Sequence, residues 1–230
     1  MDFLIKPGKR QPIRKTETIQ TLDIAVLRIS VVNNAGIFTT SSIKYCMLQI
    51  NFQPFPQIPT ERLLLREITR ADAADLFALR SNKGLMRYID RPLAQTAQDA
   101  LNLIEIIITA LKNNDGITWG ITLKNNPQLI GTIGFWRILK EHHRAEIGYL
   151  LSDTFQRQGI MQEAITAVIN YGFNVLQLHS IEGNVNPANT ASIMLLEKNK
   201  FIREAYFREN YYYNGKFIDS LVYSLLTPNK

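Results

Sequence analysis

Residues 153–173 read "DTFQRQGIMQEAITAVINYGF" and join a strand to a helix through a short polar loop. The apolar run "EIGYLL" just before them predicts the strand, and apolar residues at helical spacing in their second half predict the helix. The helix begins near Gly159, where no Ser or Thr stands to cap it. Since the first amides of a helix need acceptors, the sequence leaves open what they bind.

An anion would satisfy these amides. A helix N-terminus carries about half a positive charge, a glycine lets a phosphate approach the backbone closely, and Arg157 adds a full charge beside it. The pattern therefore favours a phosphate cradle. Its expected donors are the backbone amides of Gln158, Gly159, Ile160 and Met161. Taken alone, a glycine before a helix more often serves a turn or close packing, and that alternative stays open.

From Thr60 onward the pattern predicts about seven strands and about four helices in mixed order. The helices are expected in "RADAADLFALRSN", "QTAQDALNLIEIIITALKNN", Gly159–Leu176 and "PANTASIMLLEKNK". The strands are expected in "RLLLREI", "GITWGITLK", "QLIGTIGFWRIL", "RAEIGYLLS", "HSIEGNVN" and on both sides of a turn at Asn214–Gly215. This order predicts an α+β fold with a single layer of sheet and helices on its faces.

The net charge of +6 lies mostly in residues 1–46, which hold seven Lys/Arg against three Asp/Glu. This segment shows little periodicity, apart from a candidate strand within Leu22–Val32. We expect residues 1–46 to be a basic, poorly ordered extension and residues 47–230 to be the folded domain, opening at Met47; an over-called start codon is the alternative. A basic segment can also contact nucleic acid or the ribosome, but its weak patterning argues against this.

Composition excludes several classes of protein. No run of about 18 apolar residues is present, so we expect no membrane span. Cys46 is the single cysteine, which excludes an intramolecular disulfide and a cysteine zinc cluster and is typical of a reducing cytoplasm. His142 and His143 are adjacent, so their side chains diverge and make a poor metal site. We therefore predict a cytoplasmic protein without a bound metal.

The order of strand, Gln/Arg-x-x-Gly-x-Gly/Ala loop, helix, strand and Asn-x-x-Asn-x-x-Ser helix resembles the GNAT superfamily of acyl-CoA-dependent N-acetyltransferases. The matching segments span about residues 59–226 and read "PTERLLLREITRADAADLF", "AEIGYLL", "FQRQGIMQEA", "NVNPANTASIMLLEKNKF" and "YYYNGKFIDSLVYSLL". Within the superfamily the chain resembles the branch that acetylates N-terminal Ala or Ser of ribosomal proteins. Met161 departs from the final Gly/Ala of the loop, so its side chain must point away from the phosphates and toward the sheet.

The resemblance implies a GNAT-like mixed, mostly antiparallel sheet with a splay between two central strands, "EIGYLL" and "HSIEGNVN". It implies that acetyl-CoA binds with its pyrophosphate at the helix start and its pantetheine in the splay, and it implies no metal. The residues expected to bind it are Leu150, Leu151, Gln156, Arg157, Gln158, Gly159, Ile160, Met161 and Asn189. Leu150 and Leu151 could instead be plain core residues, and Asn189 a helix-start polar residue.

Acetyl transfer to an amine needs a base, and an α-amino group has a pKa near 8, so a modest base suffices. Glu146 is the candidate because strand alternation places it with Gly148 and Leu150 on one face, where desolvation would raise its pKa. Ser192 follows Asn189 by one helical turn, and the family places a Ser or Tyr near this point to donate to the departing sulfur. The alternatives are a surface salt bridge for Glu146, and an exposed or capping hydroxyl for Ser192.

The sequence thus predicts an enzyme that acetylates a primary amine, with a protein N-terminal α-amine favoured as acceptor. Carboxylates near the predicted slot are few, which weighs mildly against a polyamine or an aminoglycoside. The hairpin Glu209–Phe217 is expected to border the acceptor pocket. A GNAT-like module that holds CoA without turnover stays open, and so does the choice between a monomer and a homodimer. Whether Glu146 would act directly or through a water also stays open.

Overall fold

The computed structural model describes strands 28–31 and 39–42 and then residues 47–228. The chain divides into two compact units, Met1–Tyr45 and Cys46–Lys230. In the first unit, β1 (Arg28–Val31) pairs antiparallel with β2 (Thr39–Ser42). The remainder of the strand expected within Leu22–Val32, and most of the segment expected to be poorly ordered, lies outside the described residues.

The second unit is built on one sheet of eight strands in the order β3-β4-β5-β6-β7-β8-β10-β9. These strands are β3 (Ile58–Pro59), β4 (Leu63–Glu67), β5 (Ile117–Leu123), β6 (Asn126–Leu139), β7 (Arg144–Leu151), β8 (Ser180–Val185), β9 (Ile202–Tyr213) and β10 (Lys216–Leu226). All neighbouring strands of this sheet are antiparallel except β7 and β8. The predicted mixed, mostly antiparallel sheet is confirmed. The extra strand is β3, whose two residues are too few to produce a periodic signal.

Five α-helices accompany the sheet: α1 (Ala73–Ser81), α2 (Lys83–Met86), α3 (Ala97–Lys112), α4 (Ile160–Asn174) and α5 (Thr190–Lys198). The helix beyond the expected four is α2, a single turn whose amides at Gly84 and Leu85 donate to the side chain of Asn82. Thr96 and Asp99 cap α3 reciprocally. In the described part of the chain, no helix is long and apolar enough to cross a membrane.

The helices cover two faces of the sheet. On one face α4 and α5 pack over an apolar cluster that contains the fully buried Trp119 and Phe135. On the other face α1 and α3 enclose a smaller cluster around Ile68 and Ile104. Strand β7 contributes to both, because its alternate side chains point to opposite faces. Leu150 packs in the smaller cluster, while its neighbour Leu151 packs in the larger one.

Strands β7 and β8 part after a short contact. Their register covers Arg144 opposite Ser180, Ala145 opposite Ile181 and Glu146 opposite Glu182, and it ends there. Beyond that point β7 stays paired with β6 as far as Leu151, and β8 stays paired with β10 as far as Val185. The splay predicted between these two strands is therefore confirmed.

A buried ion pair stabilises the approach to α1. Asp72 is 5% exposed, accepts from the Arg66 guanidinium at 2.6 Å and accepts from the Thr69 amide at 2.7 Å. We expect Asp72→Asn to lower the free energy of unfolding by about 3 kcal/mol, because Arg66 would lose its buried counter-charge. Urea denaturation measures this loss. Glu105→Gln, which breaks the exposed pair with Arg70, should change stability far less, and equal losses would contradict the prediction.

Candidate active site

The splay opens into a cavity of about 570 Å³, here called the splay cavity. Its walls come from both faces of the sheet, so the opening runs through the sheet rather than along one side. Leu76, Leu103 and Ile107 of α1 and α3 line one side. Asn189, which is the N-cap of α5, and Ser192 of α5 line the other. Two ligands could therefore enter from opposite faces and meet between β7 and β8.

Glu146 lies in this cavity on the α1–α3 side. Its side chain is 8% exposed, and its nearest cation is Arg137, with 3.4 Å between Nη1 and Oε2. Burial raises the pKa of the Glu146 carboxyl above its ordinary value, while the charges of Arg137, Arg144 and Arg91 oppose that shift. A buried carboxylate with one long ion pair to an exposed arginine is not a surface salt bridge. It is a stronger base than a solvated glutamate.

Two hydroxyl groups occupy the α4–α5 side of the splay cavity. Tyr149 of β7 points to this side, and its hydroxyl is hydrogen-bonded to Ser192. Burial raises the pKa of Tyr149 to about 12, although the bond with Ser192 opposes the shift. Asn189 stands beside them and caps α5, its side chain accepting from the Ser192 amide at 3.2 Å. The cavity therefore has a carboxylate on one side and a hydroxyl pair on the other.

The backbone of β7 beyond Glu146 has no strand partner on the side facing β8. Because the Ser152 amide donates to the Ile130 carbonyl at 2.9 Å, ladder alternation turns the peptide groups of Tyr149 and Leu151 toward the splay and those of Leu150 toward β6. The Leu151 carbonyl accepts from Gln156 Nε2 at 3.1 Å. The amides available at the splay are thus those of Tyr149 and Leu151, while Leu150 contributes its side chain to the cavity wall.

The start of α4 is exposed and uncapped. Gly159 is its N-cap residue at φ 76°, and no side chain bonds to the cap. Residues 156–159 are exposed, whereas Ile160 turns into the core. Met161 packs against the larger core cluster, which is the orientation the loop requires of it. Arg157 also adopts a left-handed backbone, at φ 60°, so the loop holds a conformation that favours glycine and carries a positive charge.

Arg62 braces this loop. Its Nε bonds to Glu163 at 2.7 Å and its Nη1 donates to the Gln158 carbonyl at 2.9 Å. Thr60 also donates to Glu163, at 2.6 Å. The remaining nitrogen, Nη2, lies 3.3 Å from the position that a Cβ on Gly159 would take. The helix start therefore has a second guanidinium beside it.

A second cavity of about 680 Å³, here called the outer cavity, adjoins the first. It lies between the segment from Lys83 to Leu93 and the β9–β10 hairpin, with Tyr213 and Phe217 in its wall. The hairpin expected within Glu209–Phe217 thus forms and borders a cavity. The two cavities share five lining residues: Ile89, Asp90, Arg91, Asn186 and Asp219.

The structure brings some of the predicted site residues together and leaves others apart. Glu146, Leu150, Asn189 and Ser192 all line the splay cavity. Gln156, Arg157, Gln158, Gly159, Ile160 and Met161 form the α4 start outside it, and Leu151 lies in the core with its carbonyl tied to Gln156. Within the described residues, no group of three His, Cys, Asp or Glu side chains could hold a metal ion.

Tyr149 and Arg62 are two of the site residues that sequence reasoning missed. The signal for Tyr149 was available, because the alternation that places Glu146 on one face places Tyr149 on the other. Arg62 lies about a hundred residues before the loop it braces, so no local pattern indicates the contact.

Comparison with known proteins agrees with this architecture. Residues 62–202 match the acetyltransferase (GNAT) domain family. The chain is 38% identical over 176 residues to the uncharacterized N-acetyltransferase YoaA of Bacillus subtilis (strain 168), covering 76% of this chain and 99% of that relative. The chain therefore belongs to the GNAT family and is an N-acetyltransferase.

Two further comparisons concern proteins with a named acceptor. The [ribosomal protein uS5]-alanine N-acetyltransferase of Escherichia coli (strain K12) is 28% identical over 119 residues, or 51% of this chain and 61% of that relative. The solved structure of RimL, a ribosomal L7/L12 alpha-N-protein acetyltransferase in complex with coenzyme A, has a TM-score of 0.68 at 23% identity. The match covers 74% of this chain and 98% of that one, so the two share a fold.

The Glu146 environment can be tested directly. Arg137→Met removes the ion pair at 3.4 Å, so burial acts with less opposition and the pKa of the Glu146 carboxyl should rise further. The carboxyl signal of isotope-labelled Glu146, followed by NMR across a pH titration, measures the shift. Arg70→Met removes an exposed arginine paired with Glu105 and should leave the Glu146 titration unchanged. A fall of the Glu146 pKa in Arg137→Met would contradict the assignment.

Proposed function

We propose that this chain transfers an acetyl group from acetyl-CoA to the α-amine of a protein N-terminus. The observation that carries the proposal is the splay cavity, with the buried Glu146 on one side of the sheet and the Tyr149–Ser192 hydroxyl pair on the other. An amine and a thioester approaching from opposite faces would meet between these groups.

The donor end of the proposal rests on the α4 start. Its exposed amides, the left-handed Gly159 and the guanidinium of Arg157 suit the pyrophosphate of acetyl-CoA. Arg62 would add its free Nη2. The unpaired edge of β7 would hold the pantetheine arm through backbone groups, much as an added strand does, and the Asn189 amide group faces the same cavity. The bound donor supplies an activated acyl carbon and a leaving thiolate.

The residues of this chain then have separate tasks. Glu146, directly or through a water, takes the proton that the amine must lose in order to attack. The Leu151 amide, on the splay side of β7, would stabilise the developing charge on the acyl oxygen. An unperturbed thiol has a pKa near 8.5, whereas that of Tyr149 is about 12. Tyr149 and Ser192 would therefore stabilise the departing sulfur by hydrogen bonding rather than by giving up a proton.

The charges of both cavities weigh against a polycationic acceptor, because neither cavity has more acidic than basic side chains in its wall. Acidic side chains in the outer cavity are Asp90, Glu209 and Asp219, and basic ones are Lys83, Arg87, Arg91 and Lys216. A polyamine or aminoglycoside site should be dominated by carboxylates, and this one is not. A cavity of about 680 Å³ is large enough for the first residues of a peptide. The relatives include both a ribosomal-protein and a spermidine acetyltransferase, so it is the charge of the cavities that leads us to favour a ribosomal-protein N-terminus in the cytoplasm.

The assignment is tested with a panel of free-amine peptides and small amines, incubated with labelled acetyl-CoA and analysed by mass spectrometry. The wild type should acetylate a peptide α-amine, and Glu146→Gln should lower kcat about 100-fold for that acceptor. The wild type should lose activity at low pH as Glu146 is protonated, and the variant should lack that limb of the profile. A wild type that binds acetyl-CoA and acetylates nothing would make the chain a CoA-binding module instead.

The proposed pyrophosphate site at the start of α4 is tested by comparing alanine substitutions at two glycines, Gly159 and Gly215. Gly159→Ala should lower the free energy of unfolding by about 1–2 kcal/mol, because alanine is strained at positive φ, and should weaken CoA binding about tenfold, because a Cβ would stand where the phosphate approaches. Gly215→Ala carries the same backbone strain at φ 79° with nothing within 4 Å, so it should lose stability and keep CoA affinity. Calorimetric titration with CoA compares the two, and equal CoA affinities would place the pyrophosphate elsewhere.

A further inference from the structure

Asp90 presents a carboxylate that the described part of the chain leaves without a bonding partner. It lies half-buried in the segment between α2 and α3. Its oxygens accept no hydrogen bond from any described residue and form no ion pair with one, and the charge that acts on it is that of its neighbour Arg91. Its oxygens are therefore open to the cavities, where the charged group of a ligand can reach them.

Asp90 lies where a ligand that passes from the outer cavity to the splay cavity can contact it. Asp90 lines both the splay cavity and the outer cavity, and so stands at the neck where they join. The other carboxylate at the neck, Asp219, already accepts from the Tyr206 hydroxyl and from the Glu209 amide. Glu146, deeper in the splay cavity, is paired with Arg137. Asp90 is therefore the neck carboxylate with both oxygens available to a ligand.

We propose that Asp90 is a specificity-determining residue that receives the acceptor's ammonium group at the neck. This rests on the proposed function and deepens it, because it names the feature by which the acceptor is recognised. An α-amine with a pKa near 8 is mostly protonated at neutral pH, so the acceptor arrives as a cation that must be desolvated before it reaches the thioester. A carboxylate at the entrance offsets that cost through a charge-assisted hydrogen bond.

The same bond defines the step at which Asp90 acts. A carboxylate next to an ammonium favours the protonated form, so an amine held at Asp90 is not yet a nucleophile. The proton leaves further in, toward Glu146. Asp90 is therefore expected to affect acceptor binding, seen in KM, and not the chemical step, seen in kcat. The neighbouring Arg91 also lines both cavities and acts on Asp90, so we expect its charge to disfavour a second cationic group of the acceptor there.

The experiment uses the full chain loaded with CoA, and tetrapeptides with an N-terminal Ala or Ser, each in a free-amine form and an Nα-acetylated twin. Calorimetry should show the wild type binding the free-amine form about tenfold more tightly than its twin. Asp90→Asn should reduce that preference to about twofold, and Asp90→Glu should restore most of it. Glu105→Gln, which removes an exposed carboxylate on α3, should keep the full preference.

Turnover with acetyl-CoA then distinguishes failure of the Asp90 role from failure of the proposed acetyl-transfer function. Asp90→Asn should raise the acceptor KM about tenfold while kcat and the KM for acetyl-CoA stay within about twofold. Equal binding of the twins by the wild type, a preference that survives in Asp90→Asn, or a loss confined to kcat would each overturn the role of Asp90. Asp90-dependent binding of the free amine with no acetylated product would contradict the proposed function but support the ammonium site at Asp90. Thermal melting of each variant confirms that it is folded.

Discussion

The candidate active site depends on the early parting of the one parallel pair in the eight-stranded sheet. Glu146 and Glu182 stand opposite each other in the last shared register of β7 and β8. Each glutamate has its own arginine, Arg137 for Glu146 and Arg144 for Glu182. Past this point β8 follows β10, and Gly183 allows Leu196 of α5 to pack closely against it, since a Cβ there would lie 3.1 Å from Leu196. The opening is thus set by rigid neighbours on both sides.

The gap between β7 and β8 presents side chains from both faces of the sheet, together with unpaired backbone groups, to a single cavity. Because side chains of β7 alternate, one strand supplies a carboxylate to one face and a hydroxyl to the other within four residues, Glu146 and Tyr149. Its unpaired edge adds peptide groups directed into the gap. A carboxylate, a phenol hydroxyl and unpaired peptide groups are therefore positioned by a single strand, and in the proposed function they serve as base, as donor to the sulfur and as donor to the oxyanion. Helices α1 and α3 on one face supply mainly walls, while α5 on the other adds Ser192 and its N-cap Asn189.

The sequence alone predicts the parts of this site that rest on local rules. The glycine-led start of α4, the alternation that places Glu146 and the turn at Asn214–Gly215 are all readable within short windows. Contacts between distant segments are not, so the brace from Arg62 to the α4 loop and the neck residue Asp90 were missed. The short elements α2 and β3 were missed for a different reason, because two to four residues carry no period. The fold was thus more predictable from the sequence than the residues that line an acceptor's path to the candidate site.

The described residues include a few positions whose conformation or charge is locally unfavourable in the protein alone. No buried side-chain nitrogen or oxygen among them lacks a hydrogen bond, and the Arg66–Asp72 pair shows how fully the fold's own charges are satisfied. Several less favourable features lie between the α4 start and the neck: left-handed Arg157 and Gly159 at the α4 start, the unpaired edge of β7, the desolvated Glu146 and the unpartnered Asp90. Each is unfavourable in the protein alone and becomes favourable beside an anion, a strand-like arm or a cation. Their order, from phosphate cradle through splay to neck, is the order in which a donor and an acceptor would meet.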